Sequence, residues 1–163
     1  MKVLAIIPAR FESSRLPGKV MMDIQGKSLI NRVFDAVSTC GALDQVVVAV
    51  DDEKVRAHVE SFGATAVMTG KDLLSGTDRC AQVLDYMPGY TYVVNVQGDE
   101  PFIRNKEINL LVEILDRFDS DIASLMCPME SDENIFNPNV VKVVTTGEGE
   151  ALYFSRSPIP HIR

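Results

Sequence analysis

Short, continuous apolar runs alternate along the chain with segments in which apolar residues recur every three or four positions. Apolar runs rich in β-branched residues are typical of strands that are buried on both faces of a parallel sheet. The recurrence every three or four positions is typical of helices that bury one face. The strands predicted in this way for the first 118 residues are 3–7, 45–50, 65–68 and 91–97.

Helices are predicted between and after these strands. Their expected N-cap residues are Ser28 for the first, Asp51 and Asp52 for the second, and Thr77 or Asp78 for the third. The second helix is expected to end at Gly63, and residues 108–118 carry the apolar positions of the longest helix. Because strands and helices alternate, the pattern predicts an α/β fold with a mostly parallel central sheet, right-handed crossovers and helices on both faces.

The remainder of the chain gives a different pattern. Residues 121–129 and 139–146 are predicted strands, and residues 130–139 between them are predicted to form a solvated loop. Residues 151–156 follow a glycine-rich turn. The last residues are interrupted by prolines and close with neither a helix nor a strand. This ending indicates either a short natural chain or a fragment whose fold continues.

Composition narrows the class of protein. The 163 residues fit one domain, and a hydrophobic content of 46% suffices for a full core. A formal net charge of −7 argues against nucleic-acid binding and against an anionic membrane surface. The apolar stretch at the start is too short for a signal peptide, and no run approaches a membrane span. We therefore expect a cytoplasmic protein without nucleic-acid or membrane partners.

The cysteines and histidines give no sign of catalysis. Cys40, Cys80 and Cys127 are odd in number and match no metal-ligand spacing, so we expect buried, reduced thiols, which suit the cytosol. His58 is predicted to lie at the surface of a helix. With two histidines in the chain, no Ser-His-Asp or Cys-His arrangement can be argued.

A basic segment follows the first predicted strand. Arg10, Arg15 and Lys19 lie in the sequence PARFESSRLPGK, which has little that could pack in a core. In open α/β sheets, ligands bind beyond the carboxyl ends of the strands. Guanidinium forks, an ammonium group and backbone N–H groups in such a loop suit a polyphosphate, although a solvated linker is the alternative.

Two common explanations of such a loop fail. A P-loop would need glycine five positions before Gly18, where Ser13 stands, and Ser or Thr in place of Val20. The G-x-G-x-x-G pattern of the NAD-binding domains is also absent after the first strand.

Three further segments could take part in a site. Asp99, in the sequence NVQGDEP after the strand at 91–97, is placed to hold Mg²⁺ beside a phosphate, or else belongs to a turn. The sequence SGTDR, at 75–79, begins a predicted helix and suits an anion or a polar base, with simple capping as the alternative. Arg156 could bind a carboxylate bidentately, through two parallel N–H groups of its guanidinium.

Four motifs together resemble one enzyme family. The sequences IIPARFESSRLPGK, SGTDR, VVNVQGDEPFI and YFSRSPIP occur in the order and at the spacings of the 3-deoxy-manno-octulosonate cytidylyltransferases, the CMP-Kdo synthetases. The resemblance covers residues 1–163 and extends more distantly to CMP-sialate synthetases and other sugar nucleotidyltransferases. Ser28 stands where these enzymes commonly have proline, an acceptable exchange at a helix start. Family members continue well beyond position 163.

The resemblance implies a Rossmann-like nucleotide-diphospho-sugar transferase fold, with residues 1–163 as one nucleotidyltransferase domain that lacks its C-terminal portion. The missing portion would bring a second metal-binding Asp, further sugar contacts and much of the interface of a homodimer. The implied reaction joins CTP and Kdo to give CMP-Kdo and pyrophosphate for lipopolysaccharide biosynthesis, with Mg²⁺ as cofactor.

The resemblance also implies roles for individual residues. Arg10, Lys19 and Asp99 are the expected catalytic residues, and Asp99 is the expected metal ligand. The residues expected to bind CTP are Ala9 (through its backbone), Arg10, Arg15, Lys19, Ser75, Thr77 and Arg79. Gln97 and Arg156 are expected to face Kdo, with Arg156 on its carboxylate.

The sequence leaves other functions open. The acceptor could be sialate or another sugar, or the chain could be a fragment that binds a nucleotide without turnover. A structural α/β domain without a ligand would leave the Arg/Lys segment unexplained.

Overall fold

The computed structural model describes residues 1–12, 16–118, 120–129, 131 and 133–160. The chain forms two compact units, Met1–Ala123 and Ser124–Arg163. The strands are β1 (Val3–Ala9), β2 (Asp23–Ile24), β3 (Lys27–Ser28), β4 (Gln45–Val50), β5 (Thr65–Met68), β6 (Tyr92–Asn95), β7 (Lys142–Thr145) and β8 (Ala151–Ser155). The helices are α1 (Leu29–Ser38), α2 (Glu53–Ser61), α3 (Gly76–Tyr86), α4 (Asn105–Arg117), the short α5 (Glu133–Phe136) and a 3-10 turn at Lys19–Met21.

The first unit is built on a four-stranded parallel sheet in the order β5-β4-β1-β6. The predicted parallel α/β sheet is therefore confirmed. The chain first adds strands on one side of β1, as β4 and β5, and then crosses to its other side as β6. This reversal lies between β1 and β6, and in open α/β sheets the ligand crevice is found at such a switch point.

Strand β1 is buried on both faces, as the apolar run predicts. Ala5 and Ile7 pack in a core with residues of α1, α2 and α4, whereas Leu4 and Ile6 pack on the other face with residues of α3. All four side chains are fully buried. Helices therefore cover both faces of the sheet, which confirms that part of the prediction as well.

In the second unit, β7 and β8 form an antiparallel hairpin within the predicted segments 139–146 and 151–156. The Lys142 side chain is buried, and its Nζ donates to the carbonyl oxygens of Asn137, Val140 and Arg156 at 2.6–3.0 Å. A buried ammonium group is tolerated when its donors are satisfied in this way. Lys142 thus ties the hairpin to the segment that precedes it.

Two secondary-structure predictions for this part of the chain are wrong. Residues 121–129, all of which the structure describes, contain no strand, and the predicted loop at 130–139 contains α5. Ile122 is 89% exposed. An apolar run forms a strand only where a neighbouring strand pairs with it, and residues 121–129 pair with none.

The cysteines and His58 depart in part from expectation. Cys40 and Cys80 are buried, and burial raises the pKa of the Cys80 thiol to about 11, but Cys127 is exposed, so the prediction is wrong for this residue. His58 is half-buried instead of lying free at the surface. Its Nε2 is 2.7 Å from the hydroxyl oxygen of Ser28, which caps α1 as predicted.

The pairing between β1 and β6 ends just before Pro8. Its last pair is Ile6 with Asn95, and the Val96 N–H donates to the Ile6 carbonyl at 3.0 Å. Two positions further, Pro8 has no N–H to continue the ladder. There Gly98 fills the space beside the strand, since a Cβ atom on Gly98 would lie only 2.5 Å from the Pro8 carbonyl oxygen. The residues after β6 can approach β1 because position 98 has no side chain.

The Gly98→Ala substitution should lower the free energy of unfolding by about 1–3 kcal/mol, because the added methyl group overpacks a buried backbone contact. Urea denaturation measures the change. Gly41→Ala is the matched control, since a Cβ atom there meets no atom within 4 Å. Equal stability of the two variants would contradict the close approach.

Candidate functional site

The segments that follow β1 and β6 meet at the switch point of the sheet. The Nζ atom of Lys19, from the first segment, donates to Oδ2 of Asp99, from the second, at 2.8 Å. The side chains are 40% and 51% exposed, so water and solutes reach the pair. The structure thus brings together two charged residues that are 80 positions apart and were predicted for one site.

The position of Lys19 is set by the residue before it. Gly18 adopts a left-handed conformation, with φ of 70°, and its N–H donates to the Phe11 carbonyl at 2.8 Å. Lys19 then begins the 3-10 turn, from which Val20 is buried in the core. Glycine takes a positive φ without the strain that a Cβ atom adds. Gly18 therefore turns the chain so that Lys19 faces Asp99.

A cavity of about 520 Å³ opens beside this ion pair. Such a volume is in the range of small-molecule sites. Phe102, at its edge, is 90% exposed. The lining residues are Lys19, Ile24, Leu29, Asp99, Glu100, Pro101, Phe102, Ile103 and Glu107.

Arg10 extends from the end of β1 towards the start of α3. Its Nη2 donates to the Leu74 carbonyl at 3.1 Å, and the residue is exposed. The next residue, Ser75, caps α3: its hydroxyl accepts from the Asp78 N–H at 3.0 Å, and the Asp78 carboxylate accepts from the Ser75 N–H at 3.0 Å. The predicted cap at Thr77 or Asp78 is therefore wrong. The spacing Ser75-x-x-Asp78 is that of a capping box.

Arg79, in the first turn of α3, points into the protein. It is fully buried, its Nη2 donates to Asp51 Oδ2 at 3.1 Å, and its Nη1 donates to the Thr69 hydroxyl. Burial lowers the pKa of Arg79, which Asp51 opposes and nearby Arg10 reinforces. Asp51, predicted to open α2, instead turns inward, and Asp52 alone caps that helix.

Comparison with known proteins identifies the family. The family model for cytidylyltransferases matches residues 4–163. The chain belongs to the cytidylyltransferase family. It is 48% identical over 166 residues to a 3-deoxy-manno-octulosonate cytidylyltransferase of Porphyromonas gingivalis and 47% identical over 167 residues to one of Syntrophobacter fumaroxidans. These alignments cover 99% and 100% of the chain.

A solved structure gives the same result for the fold. The structure of a CMP:2-keto-3-deoxy-manno-octonic acid synthetase complexed with CTP superposes with a TM-score of 0.91 at 38% identity, over 100% of this chain and 67% of that one. The predicted nucleotidyltransferase fold is confirmed. The chain spans only 65–66% of the length of the two curated relatives.

The other predicted site residues differ in their burial and in the unit to which they belong. Arg15 lies outside the described residues. Ala9 is buried at the end of β1, and the side chains of Gln97 and Thr77 are exposed. Arg156 belongs to the second unit, where its Nη1 donates to the Pro138 carbonyl at 2.9 Å.

The acidic groups near the switch point suit a metal that is shared with phosphate. Among the described residues, no three His, Cys, Asp or Glu side chains are grouped to hold a metal ion. Asp99 offers one accessible carboxylate. Mg²⁺ commonly takes one or two carboxylates and completes its shell with phosphate oxygens and water. Asp99 therefore fits Mg²⁺ that arrives with a nucleotide, and it does not fit a closed protein cage.

None of the helices that the structure describes combines the length and the apolar character needed to cross a lipid bilayer.

Replacing Ser75 by Ala should lower the free energy of unfolding by about 1 kcal/mol, because the Asp78 N–H loses its acceptor. Thr77→Ala is the control: Thr77 is exposed in the first turn of the same helix and should change the stability little. Urea denaturation of both variants tests this, and a larger loss for Thr77→Ala would favour the cap predicted from the sequence.

Proposed function

We propose that the protein transfers the cytidylyl group of CTP to 3-deoxy-manno-octulosonate (Kdo) and so produces CMP-Kdo and pyrophosphate. The observation that carries the proposal is the Lys19–Asp99 contact at the switch point, where a basic and an acidic segment meet. The names of the relatives and the CTP complex of the similar structure support the choice of substrates.

The reaction exchanges one bond to phosphorus for another. The anomeric hydroxyl of Kdo attacks the α-phosphorus of CTP, the bond to the bridging oxygen breaks, and pyrophosphate leaves while the hydroxyl proton is released. Such a step depends on orientation and on neutralising the charge of the phosphates. Arg10, Arg15 and Lys19 would bind the triphosphate, and Lys19 would stabilise the negative charge that develops on the leaving pyrophosphate.

Asp99 would hold Mg²⁺, which when bound neutralises phosphate charge and lowers the pKa of the attacking hydroxyl. In the structure, Lys19 occupies one oxygen of this carboxylate. An exposed ion pair of this kind contributes only about 0–1 kcal/mol. A nucleotide with its metal can therefore separate the pair at small cost and give each group a new partner of opposite charge.

The remaining roles follow the resemblance in sequence. The cytidine side of the nucleotide would be surrounded by the Ala9 backbone, Ser75, Thr77 and Arg79. The guanidinium of Arg79 is buried beneath the surface. Gln97 and Arg156 would face Kdo. We propose that both units act in one nucleotidyltransferase domain, and that the protein works as a cytoplasmic homodimer in lipopolysaccharide biosynthesis.

Release of pyrophosphate from CTP and Kdo in the presence of Mg²⁺, measured with the complete natural protein, tests the proposal. Lys19→Ala and Asp99→Asn should each reduce turnover by about 10²-fold or more, as removal of one oriented charge from a transition state does. The exposed residues Lys2 and Asp85 supply the controls, Lys2→Met and Asp85→Asn. Turnover near normal in either site variant would refute the assignment.

The same assay separates the rival functions. Preference for sialate or another sugar over Kdo would place the chain with a different acceptor. Mg²⁺-dependent binding of CTP without turnover would indicate a nucleotide-binding fragment.

Arg156→Lys should raise the KM for Kdo about tenfold and leave the KM for CTP unchanged, because one ammonium group cannot replace a bidentate guanidinium on a carboxylate. Arg117→Lys, at an exposed position of α4, is the control. An equal rise in both KM values would show that Arg156 does not select the sugar acid.

A further inference from the structure

A buried carboxylate that the proposed reaction does not use lies next to the segment that follows β1. Asp51 is 6% exposed. Its Oδ1 accepts from the Phe11 N–H at 2.9 Å, and its Oδ2 accepts from Arg79 Nη2 at 3.1 Å. Capping of α2 falls to Asp52, whose Oδ1 accepts from the Lys54 N–H at 2.8 Å. The Asp51 carboxylate is therefore available to hold Phe11.

Arg79 and Thr69 fix the position of this carboxylate. The Thr69 hydroxyl, which accepts from Arg79 Nη1, donates to the Val50 carbonyl at 2.9 Å, and the Thr69 N–H donates to the same oxygen at 2.8 Å. A planar guanidinium fork presents its donors in a rigid arrangement. The network thus joins the ends of β4 and β5 to α3. It fixes the Asp51 carboxylate, whose Oδ1 accepts from the Phe11 N–H.

Phe11 transmits this position to Lys19. Its carbonyl oxygen accepts from the Gly18 N–H at 2.8 Å, and its ring lies 3.6 Å from the point where a Cβ atom of Gly18 would be. The Lys54 ammonium lies 5.7 Å from the ring centroid on the α2 side. Lys19, the next residue after Gly18, donates a hydrogen bond to Asp99. Phe11 is thus held through both its N–H and its carbonyl, between the buried network and the exposed cation.

We infer that Asp51 is a positioning residue: through the Phe11 N–H it holds the segment that carries Arg10 and Lys19 in the arrangement that binds the triphosphate of the nucleotide. A hydrogen bond to an ionised acceptor is stronger than one between neutral groups, above all where water is excluded. The identity of the ligand rests on the proposed function, whereas the ordering of the segment by Asp51 does not.

Asp51→Asn tests the inference, because it keeps the shape of the side chain and removes its charge. Affinities for Mg·CTP and for CMP are measured by calorimetry. CMP lacks the two phosphates that the Lys19 segment is proposed to bind. We expect the affinity for CTP to fall about tenfold, because the neutral amide has one oxygen for two donors and its hydrogen bond to the Phe11 N–H loses the assistance of a charge, and the affinity for CMP to fall far less.

Asp44→Ala is the matched control. The Asp44 carboxylate also accepts from a backbone N–H beside β1, that of Val3 at 2.7 Å, but at the opposite end of the strand. If Asp51 merely stabilised the fold, both variants would lower the urea midpoint and neither would change the ratio of the CTP and CMP affinities. An unchanged ratio in Asp51→Asn overturns the inference.

Hydrogen exchange supplies a readout that does not depend on any ligand. In the unmodified chain the amides of Phe11 and Gly18 should be protected. In Asp51→Asn both should exchange faster while Val3 stays protected, and Asp44→Ala should show the reverse. An unprotected Phe11 amide in the unmodified chain overturns the inference even if no variant folds. If the chain binds neither CTP nor CMP, the proposed function fails, and these exchange rates still decide the role of Asp51.

The double variant Asp51→Ala with Arg79→Met serves if Asp51→Asn does not fold. It removes both buried charges together, and so leaves no charge without a partner. It should show at least the same fall in the ratio of CTP to CMP affinity, since with Ala at position 51 the Phe11 N–H loses its acceptor entirely. A normal ratio in the double variant refutes the role of Asp51.

Discussion

The pairing of β1 between β4 and β6 is the constraint on which the candidate site depends. Because β1 is buried on both faces and paired on both sides, the point at which the chain leaves the sheet after Ala9 is fixed. The ladder to β6 stops before Pro8, and the segment that contains Gly98 packs against the end of β1. Lys19 and Asp99 can therefore meet, although both lie outside the strands of the sheet. The sheet fixes the positions of the two loops, and the loops carry the charged side chains.

Two ion pairs of similar chemistry have different tasks in this arrangement. The pair of Arg79 and Asp51 is excluded from water, and removal of one partner from such a pair costs about 3–5 kcal/mol because a buried charge is left alone. The pair of Lys19 and Asp99 is half exposed and contributes little to stability. A buried pair can hold a loop in place, and an exposed pair can exchange its partners for those of a ligand. The two ion pairs therefore differ in role because they differ in burial.

Much of the first unit could be predicted from the sequence, because an apolar run of β-branched residues and a three-to-four spacing each have one common structural meaning. The two charged loops also follow from the rule that ligands bind where parallel strands end. The direction of Asp51 could not be predicted, since Asp51 and Asp52 are identical residues at a helix start, and only the tertiary structure decides which one caps the helix. Arg79 gives the same lesson: an arginine in a helical first turn suggests an exposed anion site, and its buried partners, Asp51 and Thr69, lie 28 and 10 positions before it, outside its own helix. The strand predicted at residues 121–129 is absent because strand propensity alone does not provide a neighbouring strand to pair with.

The difference in depth between the two ion pairs has a consequence for the response of the protein to salt. At physiological ionic strength, mobile ions screen charges in water over about 8 Å, but they do not enter a close-packed interior. Added salt therefore competes for Lys19 and Asp99 and leaves Arg79 and Asp51 paired. A rise in ionic strength therefore weakens the contact between Lys19 and Asp99 and leaves the buried hydrogen bonds that hold the loop after β1 unchanged. Salt thus weakens the exposed ion pair between the two loops and leaves the buried ion pair intact.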